Sequence, residues 1–169
     1  MGRGLRCWGV GEVSRYTIAN ERDTARIAEA LAPSLRGGLV VGLSGDLGAG
    51  KTTFVRYLIA AAGGDTRAVS SPTYTLQHEY PLPNGLTVEH WDLYRLTVLP
   101  QELEESPSLK TVRLIEWPER CPELLPYLNC HMRLSHGSDE GETTDRVLEI
   151  TGDSGGELTS RLDVMKGRA

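Results

Sequence analysis

No stretch of this chain approaches the roughly twenty consecutive apolar residues needed to cross a bilayer. The opening residues, Met-Gly-Arg-Gly-Leu-Arg-Cys-Trp, contain no apolar signal region, and Arg6 stands where myristoylation prefers Ser or Thr. Cysteine is scarce: Cys7, Cys121 and Cys130 are widely spaced and form no C-x-x-C pair, which argues against a disulfide framework and fits a reducing cytoplasm. The nearest approach to a zinc set, Cys130-His131 beside His136, lacks the usual pairing of close ligands. Runs of lysine or arginine are also missing, and the formal net charge is -5. Such a chain is poorly suited to gripping DNA or RNA phosphates directly, so any nucleic acid is expected to be held by something else. Finally, N-K-x-D, the motif that reads guanine, occurs nowhere in the chain, which argues against a GTPase.

What remains is an ordinary globular composition, 39% hydrophobic and 24% charged over 169 residues, enough for one domain with one core. Apolar runs alternate with turn residues. Tyr16 to Ala19 reads as a strand, and Asn20 caps a helix with Asp23 three residues on and a stripe at Ile27, Leu31 and Leu35. Pro33 ends or bends that helix. Leu39 to Ser44 reads as a buried strand, and Val55, Leu58, Ile59 and Ala62 recur at helical spacing before Gly63-Gly64. Pro81 to Gly85 reads as a hairpin turn, followed by an alternating strand from Leu86 toward Asp92. A short helix is expected around Gln101 to Glu105, a strand over Val112 to Trp117, and a short proline-bounded element from Cys121 to Leu128. Two antiparallel strands, His131 to Leu134 and Arg146 to Ile150, follow, with a short helix over Leu158 to Met165. The pattern predicts one α/β domain over 15–151, a central mixed parallel and antiparallel sheet flanked by helices, with 1–14 as a lead-in and 152–169 as an unassigned tail.

Gly45 to Thr52, GDLGAGKT, fits G-x-x-x-x-G-K-[ST] at every fixed position. At average residue frequencies such a coincidence is expected in well under about one chain in a hundred. Glycines allow a tight turn that presents N–H groups from Asp46, Leu47, Gly48, Ala49 and Gly50 to phosphate oxygens at a helix N-terminus. Lys51 supplies a mobile cation, Thr52 a hydroxyl for Mg²⁺, and Thr53 a hydroxyl or N–H near the α phosphate. The strand before and the helix after give this motif the context of a P-loop NTPase-like fold holding a nucleoside triphosphate. A reaction needs a carboxylate on the magnesium side and something to place the attacking group. Asp92 and Glu116 both end apolar strands, so each either reaches the metal's water shell or caps the next turn. Thr73 and Thr75 either sense a γ phosphate or belong to a plain polar loop. Trp8 and Trp91 read as packing or surface residues, and His78 and His90 as loop and strand residues rather than general bases. Arg95 is placed either to act on phosphate charge or to pair with a nearby acid.

Four ordered blocks, GDLGAGKTTF, SPTYTL, DLYRL and EWPER…LLP, resemble the bacterial ATPase subunit of the tRNA threonylcarbamoyladenosine machinery, the TsaE (YjeE) family, over roughly Ala19 to Ile150. The resemblance implies a small P-loop ATPase that binds ATP and Mg²⁺ in the cytoplasm. It also implies two partners, a TsaD-like threonylcarbamoyl transferase subunit and its TsaB-like paralogue. Together they would support modification of adenosine 37 in tRNA, which this chain would meet only through the complex. Position by position it makes Lys51 and Thr52 the phosphate and magnesium residues, Glu116 the magnesium-side acid, and Asp92 an acid needed for activity. It places Thr73 and Thr75 in a switch-like loop, Trp117 after the acid, and Arg146 near the nucleotide before the last strand. The stretch between Leu96 and Val112 is shorter than is usual for the family.

With no arginine finger or unmistakable base in view, weak hydrolysis by the isolated chain is expected, completed by partners. A nucleotide-gated interaction module with incidental hydrolysis is the second reading. A small-molecule kinase is the third, and the acidic, arginine-free stretch from Thr97 to Lys110 counts against its lid.

Overall fold

The computed structural model describes residues 13–67, 69–137, 145–152 and 162. Seven strands form one sheet: β1 (Ser14–Ile18), β2 (Val40–Ser44), β3 (Gln77–Pro81), β4 (Thr87–Asp92), β5 (Thr111–Glu116), β6 (Cys130–His136) and β7 (Arg146–Thr151). Their spatial order is β1-β7-β6-β2-β5-β4-β3. β2 lies parallel to both β5 and β6, and β4 lies parallel to β5. The outer pairs, β1 with β7, β7 with β6, and β3 with β4, are antiparallel. The mixed sheet expected from the sequence is therefore present.

Helices α1 (Glu21–Leu31) and α2 (Lys51–Ala61) pack on one face, and a short α3 (Gln101–Glu104) and two 3-10 turns, Pro118–Arg120 and Pro122–Tyr127, belong to the other. Asn20 starts α1 as expected: its side-chain oxygen accepts from the N–H groups of Arg22 at 2.9 Å and Asp23 at 3.3 Å, a cap worth about 1 kcal/mol. Asp23 reaches back to the N–H of Ala19 at 3.0 Å. The helix stops at Leu31, and Pro33 sits in a 3-10 turn, Ala32–Ser34, where its ring fits and an α-helical continuation does not.

β2 is buried along its whole length, as a central strand covered on both faces must be. Its alternation assigns Val41 and Leu43 to the α-helical face, with Phe54, Val55, Leu58 and Ile59 of α2, Ile27 and Leu31 of α1, and Leu114 and Leu134 of the sheet. Val40 faces the other side, where Trp91, Leu93, Leu103, Ile115, Leu124 and Leu128 make a smaller cluster. The expected helix over Leu158 to Met165 lies outside the described residues save Leu162, which is helical and buried in the larger core. Trp8 and Cys7 lie outside them too.

Three parallel strands thus end at the same edge of the sheet. β2 runs out into the glycine-rich turn there, β4 ends in Asp92 and β5 in Glu116, and the register sets Asp92 directly opposite Glu116.

Candidate functional site

The turn after β2 closes over its own backbone. Gly45 has φ 137°, and a Cβ there would stand 2.1 Å from the Leu134 carbonyl oxygen; Gly50 has φ 102° and lies where a Cβ would meet Arg146 Nη1 at 3.0 Å. Only glycine meets both demands, left-handed backbone and close approach. α2 starts at Lys51 with no side-chain cap, so the N–H groups of its first turn are left to whatever enters the cleft in front of them.

That cleft has a volume of about 470 Å³ and is lined by Gly48, Gly50, Lys51, Thr52 and Thr53 on the turn side and by Ser71, Thr73, Asp92 and Glu116 on the other. Leu47, Tyr94, Arg95 and Trp117 complete the wall. Lys51 is buried and donates from Nζ to the carbonyls of Gly45 at 2.7 Å and Asp46 at 3.0 Å, while the indole of Trp117 lies 3.8 Å from the ammonium. Burial pushes the ammonium below its ordinary 10.5, against the opposing pull of Glu116, Glu119, Asp92 and Asp46. Trp117 adopts left-handed backbone, φ 59°, immediately after Glu116; an indole in that region costs of order 1 kcal/mol and has to be held by its surroundings. Tyr94 packs against it at 4.9 Å between ring centroids.

Glu116 accepts the Thr52 hydroxyl at 2.7 Å on Oε1, and the same oxygen meets Nε2 of His90 at 2.8 Å. Asp92 accepts from Ser71 at 2.9 Å and Thr73 at 2.5 Å on Oδ2, and from the Tyr94 N–H at 2.9 Å on Oδ1. Behind the turn, the Ser44 hydroxyl donates to Glu119 at 2.7 Å and meets Nε2 of His131 at 2.7 Å, bracing the end of β2 against the segment after Trp117.

Among the described residues no group of three or more His, Cys, Asp or Glu is arranged to hold a metal alone. The donor set fits a different arrangement. Thr52 gives its proton to Glu116 and keeps its oxygen lone pairs, and the acids beside it are hard oxygen ligands, the chemistry that suits Mg²⁺ shared with phosphate and water.

Of the residues singled out from the sequence, Leu47, Gly48, Gly50, Lys51, Thr52, Thr53, Thr73, Asp92, Glu116 and Trp117 line this cleft. Arg146 stands beside the turn at Gly50, not in the wall. Ala49 is fully buried behind the turn, and its N–H, expected to face phosphate, is bonded instead to the Asp46 carbonyl at 3.0 Å; Asp46 is exposed and does not line the cleft, though its charge acts on Lys51. Thr75 departs from expectation: it is exposed and bonds His78 at 2.8 Å, because a turn closed by the Thr75 and Leu76 N–H groups on the Pro72 carbonyl carries it away from the cleft. Arg95 stacks on Tyr74, 4.4 Å from the ring, rather than pairing with an acid. Ser71 and Tyr94 line the cleft without having been singled out, and His90 lies behind it, bonded to Glu116. The strand alternation that puts His90 on the same face as Asp92 was the available signal for the histidine.

Comparison with known proteins bears on the family and the fold. The family model described as "Threonylcarbamoyl adenosine biosynthesis protein TsaE" matches residues 18–146. Proteins described as tRNA threonylcarbamoyladenosine biosynthesis protein TsaE are similar from Nostoc sp., 34% identical over 84% of this chain and 88% of that one, and from Bacillus subtilis, 36% identical over 77% and 83%. The Rickettsia conorii relative is 40% identical, but the match spans only 65% of this chain and 64% of that protein. Among solved structures, Bacillus subtilis YdiB superposes with a TM-score of 0.73 at 26% identity, covering 94% of this chain and 99% of that one. A P-loop NTPase-like sheet with this turn, these strand-end acids and a family match over most of its length leads to one conclusion: the chain belongs to the TsaE family of threonylcarbamoyl adenosine biosynthesis proteins.

Proposed function

We propose that this chain binds ATP with Mg²⁺ in the cleft and hydrolyses it as the ATPase subunit of the machinery that forms N6-threonylcarbamoyladenosine at tRNA position 37. The observation that carries the reading is the convergence of Lys51, Thr52, Glu116 and Asp92 on one cleft at the ends of three parallel strands. Lys51 now donates to two backbone carbonyls; phosphate oxygens are ionised acceptors and bind an ammonium more strongly, so the β and γ phosphates draw it off the turn. The N–H groups of the turn and of the first turn of α2 take the remaining phosphate oxygens. Thr52 and Glu116 would hold Mg²⁺, directly and through its water, and the ion would neutralise charge on the phosphates. Asp92, at the same sheet edge, would order water beside that ion while its other contacts run to the Ser71 and Thr73 hydroxyls and the Tyr94 N–H. No arginine projects as a finger among the residues lining the cleft apart from Arg95, which is stacked on Tyr74. Slow turnover alone follows, with TsaD-like and TsaB-like partners completing the site and holding the tRNA.

The test is ATP turnover by the purified chain with and without the two transferase subunits and tRNA. Stimulation by the partners, lost in Lys51→Ala, supports the proposal. Absence of any saturable ATP binding in excess magnesium, with or without partners, overturns it.

One observation favours a second reading, a nucleotide-gated docking module with incidental hydrolysis: Asp92 is bonded to a loop whose position a γ phosphate would change. Repeated modification cycles supported by a non-hydrolysable analogue would establish that reading instead.

A further inference from the structure

His90 is wholly buried, yet it is a histidine in an apolar setting. β4 directs Val88, His90 and Asp92 to the face covered by α2, and the register pairs His90 with Leu114, so the imidazole lies diagonally across from Glu116. Tyr80 stands beside it with ring centroids 6.3 Å apart. One ring nitrogen, Nε2, is 2.8 Å from Glu116 Oε1; the other, Nδ1, is buried with no partner among the described residues. An orphaned buried nitrogen costs about 1–3 kcal/mol, which a leucine or phenylalanine here would avoid. Packing alone does not explain the residue.

The bond geometry supplies a reason. A carboxylate oxygen only accepts, so the imidazole carries its proton on Nε2 and donates it, and the Thr52 hydroxyl donates to the same oxygen from the other side at 2.7 Å. Two donors on Oε1, one from a strand and one from a helix, fix the plane of the carboxylate and leave Oε2 for the cleft that Glu116 lines. Thr52 is the less constant of the pair, because its oxygen also serves the cation in the proposed reaction. Among the described residues His90 makes no other hydrogen bond.

We propose that His90 is a positioning residue: its Nε2–H holds the Glu116 carboxylate in the orientation that receives the magnesium ion and its water. It acts through Glu116 and exchanges no proton with substrate. The inference rests on the Glu116 role given above. Partners of this kind typically alter metal affinity by about 10- to 100-fold when removed.

The test is the magnesium dependence of binding a non-hydrolysable ATP analogue, read by calorimetry on the full chain. His90→Leu conserves volume and removes the donor; the magnesium concentration for half-saturation should rise about tenfold, with magnesium-free affinity within about twofold of the original. His90→Gln places an amide N–H near the Nε2 position and should recover most of the loss. A folded His90→Leu with unaltered magnesium dependence overturns the proposal, as does a folded His90→Gln impaired as much as His90→Leu. Glu116→Gln run in parallel separates the two claims, because unaltered magnesium dependence there removes Glu116 from the metal and the proposal with it. Should His90→Leu fail to fold, the imidazole ¹⁵N spectrum of the unsubstituted chain decides: a proton on Nε2, with or without one on Nδ1, supports the bond, and a proton on Nδ1 alone overturns it.

Discussion

Glu116 and Asp92 stand opposite one another at the ends of neighbouring strands, but they are held in contrasting ways. The partners of Glu116 ride on regular elements, Thr52 on α2 and His90 on β4, and its carboxylate is buried between them. Asp92 is bonded instead to hydroxyls of an irregular segment, Ser71 and Thr73, which also meet each other at 2.6 Å. The same segment contains Leu76, held at φ 68°, whose carbonyl accepts the Asp92 N–H at 3.1 Å. Leu76 and Trp117 are the non-glycine residues with left-handed backbone among those described, and each sits against one of the two acids. Strain of that kind persists only where surrounding structure enforces it. The difference teaches that one acid is held by a helix and a strand, while the other is held by hydroxyls of an irregular segment and by the Tyr94 N–H. Under the proposed function, the first arrangement would suit a preorganised metal ligand and the second a contact that responds to the nucleotide.

Lys51 feels both acids, so removing it tests the site as a whole. Lys51→Ala should weaken nucleotide affinity about a hundredfold, corresponding to loss of about 3 kcal/mol of charge-assisted contact, as measured by calorimetry. Glu116→Gln should cut magnesium-dependent turnover by about tenfold or more while leaving magnesium-free nucleotide binding nearly unaltered. If Asp92→Asn gives the same metal signature with no loosening of 71–76, the contrast between the acids collapses. Thr73→Val removes one of two hydroxyl donors to Asp92 and should cost about 1 kcal/mol, seen as faster amide hydrogen exchange confined to that segment. The same exchange profile should be flat in Glu116→Gln.

The last effect lies away from the acids and leaves the neutral-pH site unaltered. Burial pushes the Cys130 thiol up to about 12 from its ordinary 9.0. A folded value above the unfolded one contributes stability that is whole below pH 9.0 and is lost as pH rises toward about 12. In the folded protein Cys130 should therefore resist alkylation under mildly alkaline conditions, reacting only as fast as the chain unfolds, whereas prompt labelling would show β6 opening locally.

The parts of this molecule that could be read from its sequence are those governed by neighbours in the chain. Asn20 announced α1 because capping is a contact within three residues, and the turn from Gly45 to Thr52 announced itself because all its donors are consecutive. Asp92 and Glu116 could be picked out as strand ends, but only the parallel register put them side by side. The service of His90 to Glu116 spans 26 residues of chain and depends on β4 adjoining β5, which no local pattern dictates. Thr75 shows a related effect: Thr73 and Thr75 look alike in sequence, and a turn closed on the Pro72 carbonyl places only Thr73 in the cleft wall.

The indole of Trp117 is, in effect, an optical gauge wired to the lysine. Its ring carries the Lys51 ammonium 3.8 Å above its centre, and a cation so close to an indole alters its excited state. Whatever anion lures that ammonium away strips the ring of its charge, so emission from this one fluorophore would report occupancy in an unlabelled sample. Trp91, packed into the smaller core with its N–H turned to Glu89, and Trp8 supply the background, and Trp117→Phe isolates the change.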